Sequence, residues 1–121
     1  MAGNEKSKLK TLKIIEILNK YSDENHPMSA ADICAELSKE DIHAERKSIY
    51  SDIDVLRSYG YDIISTSTPK KGVYMGERDF ELVEVRLLID AVQSAKFITE
   101  KKTEVLVDKI EKNLSKWQIE E

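Results

Sequence analysis

At 121 residues, with 40% hydrophobic and 35% charged side chains, the chain can bury the core of one compact domain, or of a small one with an appendage, and is too apolar to stay disordered. Its apolar runs last a few residues against the roughly 20 of a membrane helix, and the lone Cys34 excludes an internal disulfide; with no signal peptide, it points to a reducing cytoplasm. The net charge of -4 and pI near 5.3 speak against a generic polyanion binder.

Residues 1–5 lack apolar periodicity and read as a flexible tail. From Lys6 to Tyr21, Leu9, Leu12, Ile15 and Leu18 recur every three residues, and Ile14, Ile17 and Tyr21 widen the stripe into a helix buried over much of its circumference. Ser22 to Met28 is a loop. Ser29 caps the next helix, Asp32 at the third helical position completes a capping box, and Ala30, Ile33, Cys34 and Leu37 form the core face. After a polar turn plugged by Ile42, Glu45 to Tyr59 forms a third helix with Ile49, Ile53 and Leu56 inward, closed by Gly60. Tyr61 to Thr68 and Val73 to Met75 are strands around the turn Pro69 to Gly72. Leu82, Val85, Leu88, Ile89 and Val92 mark a further helix. Val105, Leu106, Ile110, Leu114 and Trp117 mark a last one, capped by Thr99 and joined through Lys96 to Ile98 as an antiparallel helical hairpin.

Three helices followed by a β-hairpin describe a winged helix-turn-helix, whose third helix presents its N-terminal residues to the major groove. Arg46, Lys47 and Tyr50 point away from the apolar stripe, with Ser48 and Ser51 at its margins. Arg suits bidentate contact with guanine, Lys and Ser serve phosphates or bases, and Tyr bonds a phosphate or covers a thymine methyl. Lys70 and Lys71 at the tip of the hairpin suit the sugar-phosphate backbone or the minor groove, and Ser29 offers a hydroxyl and free amides to a phosphate. Asp52 is expected to make an internal pair, with a base such as Arg57 or one on a neighbouring helix, or a cap-like contact. Cys34 reads as core filler. His26 and His43 lack a second soft ligand at suitable spacing, so neither a metal nor any other cofactor is expected. With four glycines and no nucleophile elbow or phosphate-binding loop, no catalytic role is expected.

The run Arg46-Lys47-Ser48-Ile49-Tyr50-Ser51-Asp52-Ile53, with Leu56 and Gly60-Tyr61, resembles the recognition helix of bacterial WYL-domain transcriptional regulators with DeoR-like N-terminal domains. Lys71-Gly72-Val73-Tyr74 resembles that family's hairpin. Glu77 to Leu82 and Ser94 to Lys102 are similar to its helical connector. Three departures stand out. Ser51 occupies a position where the family usually has Arg, Glu45 replaces the usual Ser or Asp at the helix start, and the sensor domain would follow Trp117 whereas this sequence ends at Glu121. The resemblance therefore carries no small-molecule effector site onto any residue here.

The expected architecture is mainly α with a small β-hairpin: a winged helix-turn-helix over residues 6–76, a linker at 77–81 and a helical hairpin at 82–118. The function expected is that of a DNA-binding transcriptional regulator, or its DNA-binding part. Its partners would be double-stranded DNA and a second copy held through the C-terminal helices, with no membrane. The DNA-contacting set is Ser29, Arg46, Lys47, Ser48, Tyr50, Ser51, Lys70 and Lys71. The alternative is a winged helix that docks another protein without binding DNA.

Overall fold

The computed structural model describes residues 2–120 and divides into two compact units, Met1–Glu77 and Arg78–Glu121. It is mainly helical with one small antiparallel hairpin. In chain order the first unit holds helices α1 (Ala2–Tyr21), α2 (Ala30–Ser38) and α3 (Arg46–Tyr59) and strands β1 (Ile63–Thr66) and β2 (Gly72–Met75). The second holds α4 (Leu82–Ser94), α5 (Glu100–Glu111) and α6 (Lys116–Glu120).

The core of the first unit follows helical spacing. Ile14, Ile17 and Leu18 of α1 meet Ile33 and Leu37 of α2 and Ile49, Ile53 and Leu56 of α3, with Ile63, Val73 and Met75 closing the cluster from the hairpin. Each such side chain withdrawn from water contributes about 1.5–3 kcal/mol, so this cluster is what selects the fold. Two details of α1 differ from the sequence reading. The helix already includes Ala2 to Glu5, assigned above to a tail, and Glu5 in the first turn complements the helix dipole; Met1 lies outside the described residues. Leu9 and Leu12 are exposed, because burial on α1 starts at Ile14.

Both turns around α3 close in the Schellman pattern. Gly60 donates to the Arg57 carbonyl and Tyr61 to the Leu56 carbonyl, at 3.1 Å each, with Gly60 at φ 127°. At the end of α2, Asp41 donates to Ser38 and Ile42 to Leu37, at 3.0 Å each, and Asp41 takes the left-handed φ of 61°. Ile42 then packs against the core, as a residue after such a cap commonly does.

The strands pair Ile63 with Met75 and Thr66 with Gly72, an alternation that turns Ile63, Val73 and Met75 inward. A further bridge was hidden in the sequence. Met28, read above as the end of a loop, exchanges two 2.8 Å backbone hydrogen bonds with Val73, occupying the outer edge of β2. Beside it, the buried Ser22 hydroxyl donates to the Leu18 carbonyl at 2.6 Å and accepts the Met75 N–H at 3.0 Å. The hairpin is thus tied by backbone to the chain that connects α1 with α2.

In the second unit α4 and α5 pack on each other. Glu81 and Glu84 cap α4 reciprocally, and Thr99 caps α5 by accepting from Lys102 N–H at 3.2 Å. The helix read as running to Trp117 is broken at Lys112 to Ser115. Ser115 starts α6, accepting from Gln118 N–H at 3.2 Å, while the Gln118 side chain accepts from Ser115 N–H at 3.0 Å. Ser-Lys-Trp-Gln is a capping box, a visible signal that apolar periodicity overrode.

Gly72 is where the hairpin is least tolerant. A Cβ there would stand 2.5 Å from the Met28 carbonyl oxygen, a backbone atom that cannot rotate aside. Gly72→Ala is expected to destabilise the protein by about 1–3 kcal/mol, read as a lower urea midpoint. An unchanged midpoint would mean that the Met28 bridge yields freely.

Candidate nucleic-acid interface

α3 begins at Arg46 without help from its cap residue, since Glu45 makes no side-chain bond to the first turn, in keeping with the weak capping of Glu. Its inward residues Ile49, Ile53 and Leu56 leave Arg46, Lys47, Tyr50 and Ser51 exposed on the opposite side. Four of the eight candidate residues come together. Ser29 from the cap of α2, Arg46 and Tyr50 from α3, and Lys71 from the hairpin line one open cleft of about 290 Å³. Met28, Ile33, Ile53 and Val73 lie beneath, and Ser65 and Thr66 of β1 complete the rim. Among the described residues, no hydrogen bond or ion pair engages the side chains of Arg46, Lys47, Tyr50, Ser51 or Lys71.

Two candidate residues are engaged elsewhere. Ser48 accepts a hydrogen bond from the Lys10 ammonium of α1, so its hydroxyl is turned toward α1 and is half-buried. Spacing alone could not show this, because the partner lies 38 positions away. Lys70 is paired with Asp32 at 2.5 Å. The expected pair of neighbouring lysines at the hairpin tip therefore splits: Lys71 lines the cleft and Lys70 reaches back to α2. The hydrogen bond from Lys70, then that from the Ser29 backbone, holds the Asp32 carboxyl below its ordinary range.

Asp52 is paired internally, with the neighbouring-helix base of the two options considered. Lys10 Nζ stands 3.1 Å from Asp52 Oδ2 with side chains only 12% and 18% exposed, and the contact is an ion pair without a directed hydrogen bond to that oxygen. Arg57 does a different job, donating from Nε to the Ile63 carbonyl at 2.8 Å and from a terminal nitrogen to the Ser65 hydroxyl at 2.7 Å. It clamps the end of α3 to β1 and thereby sets the angle between helix and hairpin. Asp54 is exposed, 3.6 Å from Arg57.

Cys34 is half-buried, its thiol donating to the Ala44 carbonyl at 3.4 Å, and His26 Nδ1 sits 2.9 Å from the buried Asp23 carboxylate. Among the described residues no group of three or more His, Cys, Asp or Glu could hold a metal ion, and no helix is long and apolar enough to cross a membrane.

Compared with protein-family models, curated proteins and solved structures, the chain matches none.

The Lys10–Asp52 pair fixes how α3 is presented, and its strength is measurable. Lys10→Met is expected to cost about 2 kcal/mol in urea denaturation, because it leaves a largely buried carboxylate unpaired, whereas Asp52→Asn should cost less. A loss below about 0.5 kcal/mol for Lys10→Met would mean that water screens the pair as it does on a surface.

Proposed function

We propose that this protein is a DNA-binding transcriptional regulator, or the DNA-binding part of one, with α3 entering the major groove and the β1–β2 hairpin lying alongside as the wing. The observation that carries the reading is the cleft shared by Ser29, Arg46, Tyr50 and Lys71. Three separate elements supply a cap hydroxyl, a guanidinium, a phenol and an ammonium to one open surface, and none of these cations is spent on an internal acid. Such a set suits phosphates at the rim and base edges along the first turns of α3. Lys47 and Ser51 extend it along the helix. The net charge of -4 does not oppose this, because only charges within about a Debye length of 8 Å of the docking face act strongly. The resemblance of Arg46 to Ile53 and of Lys71 to Tyr74 to WYL-domain regulators supports the same reading.

Few cations on the docking face imply modest affinity for one half-site, which winged-helix proteins commonly offset by binding as dimers. The second unit offers the means. Val83 and Leu87 of α4 are 68% and 65% exposed and Phe97 is 90% exposed, while Val85 and Leu114 are its only hydrophobic residues buried among those described. A second copy meeting these faces would cover them. Sedimentation velocity is expected to show self-association that Val83→Glu/Leu87→Glu abolishes; a wild-type monomer at high micromolar concentration would end the dimer reading.

The DNA reading is tested by fluorescence anisotropy with a mixed-sequence duplex. About four to six phosphate contacts should give a slope of about -4 to -5 in log K against log salt. Arg46→Ala/Lys47→Ala should weaken binding by about 1–3 kcal/mol and flatten that slope. Absent or salt-insensitive binding would favour a winged helix that docks protein instead.

A further inference from the structure

We propose that Asp32 is a built-in competitor for DNA phosphate, withholding the wing cation Lys70 until the duplex docks; the proposal rests on the DNA-binding reading above. Asp32 occupies the third position of α2, and one oxygen, Oδ2, accepts both the Ser29 backbone N–H at 2.9 Å and the Lys70 ammonium at 2.5 Å. Two donors converging on one anionic oxygen, a helix-cap amide and a lysine, are the donors that a phosphate oxygen would take. The carboxylate thus takes up donors that a phosphate oxygen would take, bonded to Ser29, which lines the cleft together with Lys71. The neighbouring lysines differ in consequence. Lys71 is uncommitted, while Lys70 bridges 38 positions of sequence to reach an acid.

The pair is built to open. Its side chains are 53% and 41% exposed, so water and salt screen it and an arriving phosphodiester can replace the carboxylate. Asp32 has a second tie in the capping box, through Ser29 Oγ accepting its N–H at 3.1 Å, and stays in position when Lys70 leaves. The Met28–Val73 bridge holds the base of the hairpin throughout. Only the lysine side chain has to move. The competitor weakens non-specific attraction, because a duplex must displace an internal acid before it gains this cation.

The experiment is a salt series of anisotropy titrations on the whole chain with a mixed-sequence duplex, using wild type, Asp32→Asn, Lys70→Ala and the double variant. Asparagine keeps an oxygen that accepts from Ser29, and far-ultraviolet circular dichroism checks that α2 persists. Asp32→Asn is expected to tighten binding about two- to fivefold at a log–log salt slope close to that of wild type, because Lys70 reaches a phosphate in both complexes. Lys70→Ala should flatten the slope by about 0.9 in both backgrounds, the contribution of one neutralised phosphate, and should cancel the gain in affinity given by Asp32→Asn. Equal affinities for wild type and Asp32→Asn, or a gain from Asp32→Asn that persists in the Lys70→Ala background, would overturn the competitor while leaving DNA binding standing. Failure of all four proteins to bind at low salt would overturn both.

Discussion

The backbone pairing of Met28 with Val73 is the constraint on which the first unit depends. Two 2.8 Å hydrogen bonds join the segment before α2 to the inner strand of the hairpin. Their geometry brings the Met28 backbone so close to Gly72 that no side chain fits between them. A two-stranded hairpin alone is marginal in water. Here it gains a third backbone partner and an apolar face, with Val73 and Met75 turned into the helical core. The cleft follows directly, for its floor is Met28 and Val73 and its walls are the cap of α2, the start of α3 and the rim of the hairpin.

Electrostatics then decides which side chains remain available on that surface. Acids and bases are interspersed along the chain, yet they are not paired at random. Lys10 neutralises Asp52 where burial would make an unpaired carboxylate costly. Arg57 spends its guanidinium on a strand carbonyl and a serine, serving as a strut between α3 and β1. Lys70 is held by Asp32. Among the described residues of that surface, Arg46, Lys47 and Lys71 remain uncommitted, a small set on an acidic protein, which is why a local surface and not the net charge carries the functional proposal.

The two units are built on different terms. The first buries a continuous cluster of aliphatic side chains from five elements. The second closes its helices with capping residues, Glu81, Thr99 and Ser115, and leaves much of its apolar surface open. Caps of this kind contribute about 1 kcal/mol each, enough to define helix ends but not to replace a core. Lys116 over the Trp117 ring at 4.4 Å adds a local contact of the same modest order. That contrast is the reason the second unit is proposed to meet a partner.

Local patterns in the amino-acid order were sufficient for the mainly helical fold, the inward stripe of α3, the Ser29–Asp32 capping box, the Gly60 closure and the hairpin between β1 and β2. Each of these depends on residues a few positions apart, whose spacing is dictated by the helix turn, the strand alternation or the cap geometry. The start of α1, its exposed Leu9 and Leu12, and the Ser115 break were misjudged locally, since periodicity says where an apolar stripe lies and not how far a neighbour covers it. Only the tertiary structure decided that Ser48 turns to Lys10, that Asp52 pairs with Lys10 and not Arg57, that Lys70 is held by Asp32, and that Met28 forms a bridge. Those contacts join positions 38 to 45 apart, and no rule of spacing along a helix or strand reaches that far. They exist because burial of the common core brings the segments together, after which charge and hydrogen-bond satisfaction choose the partners.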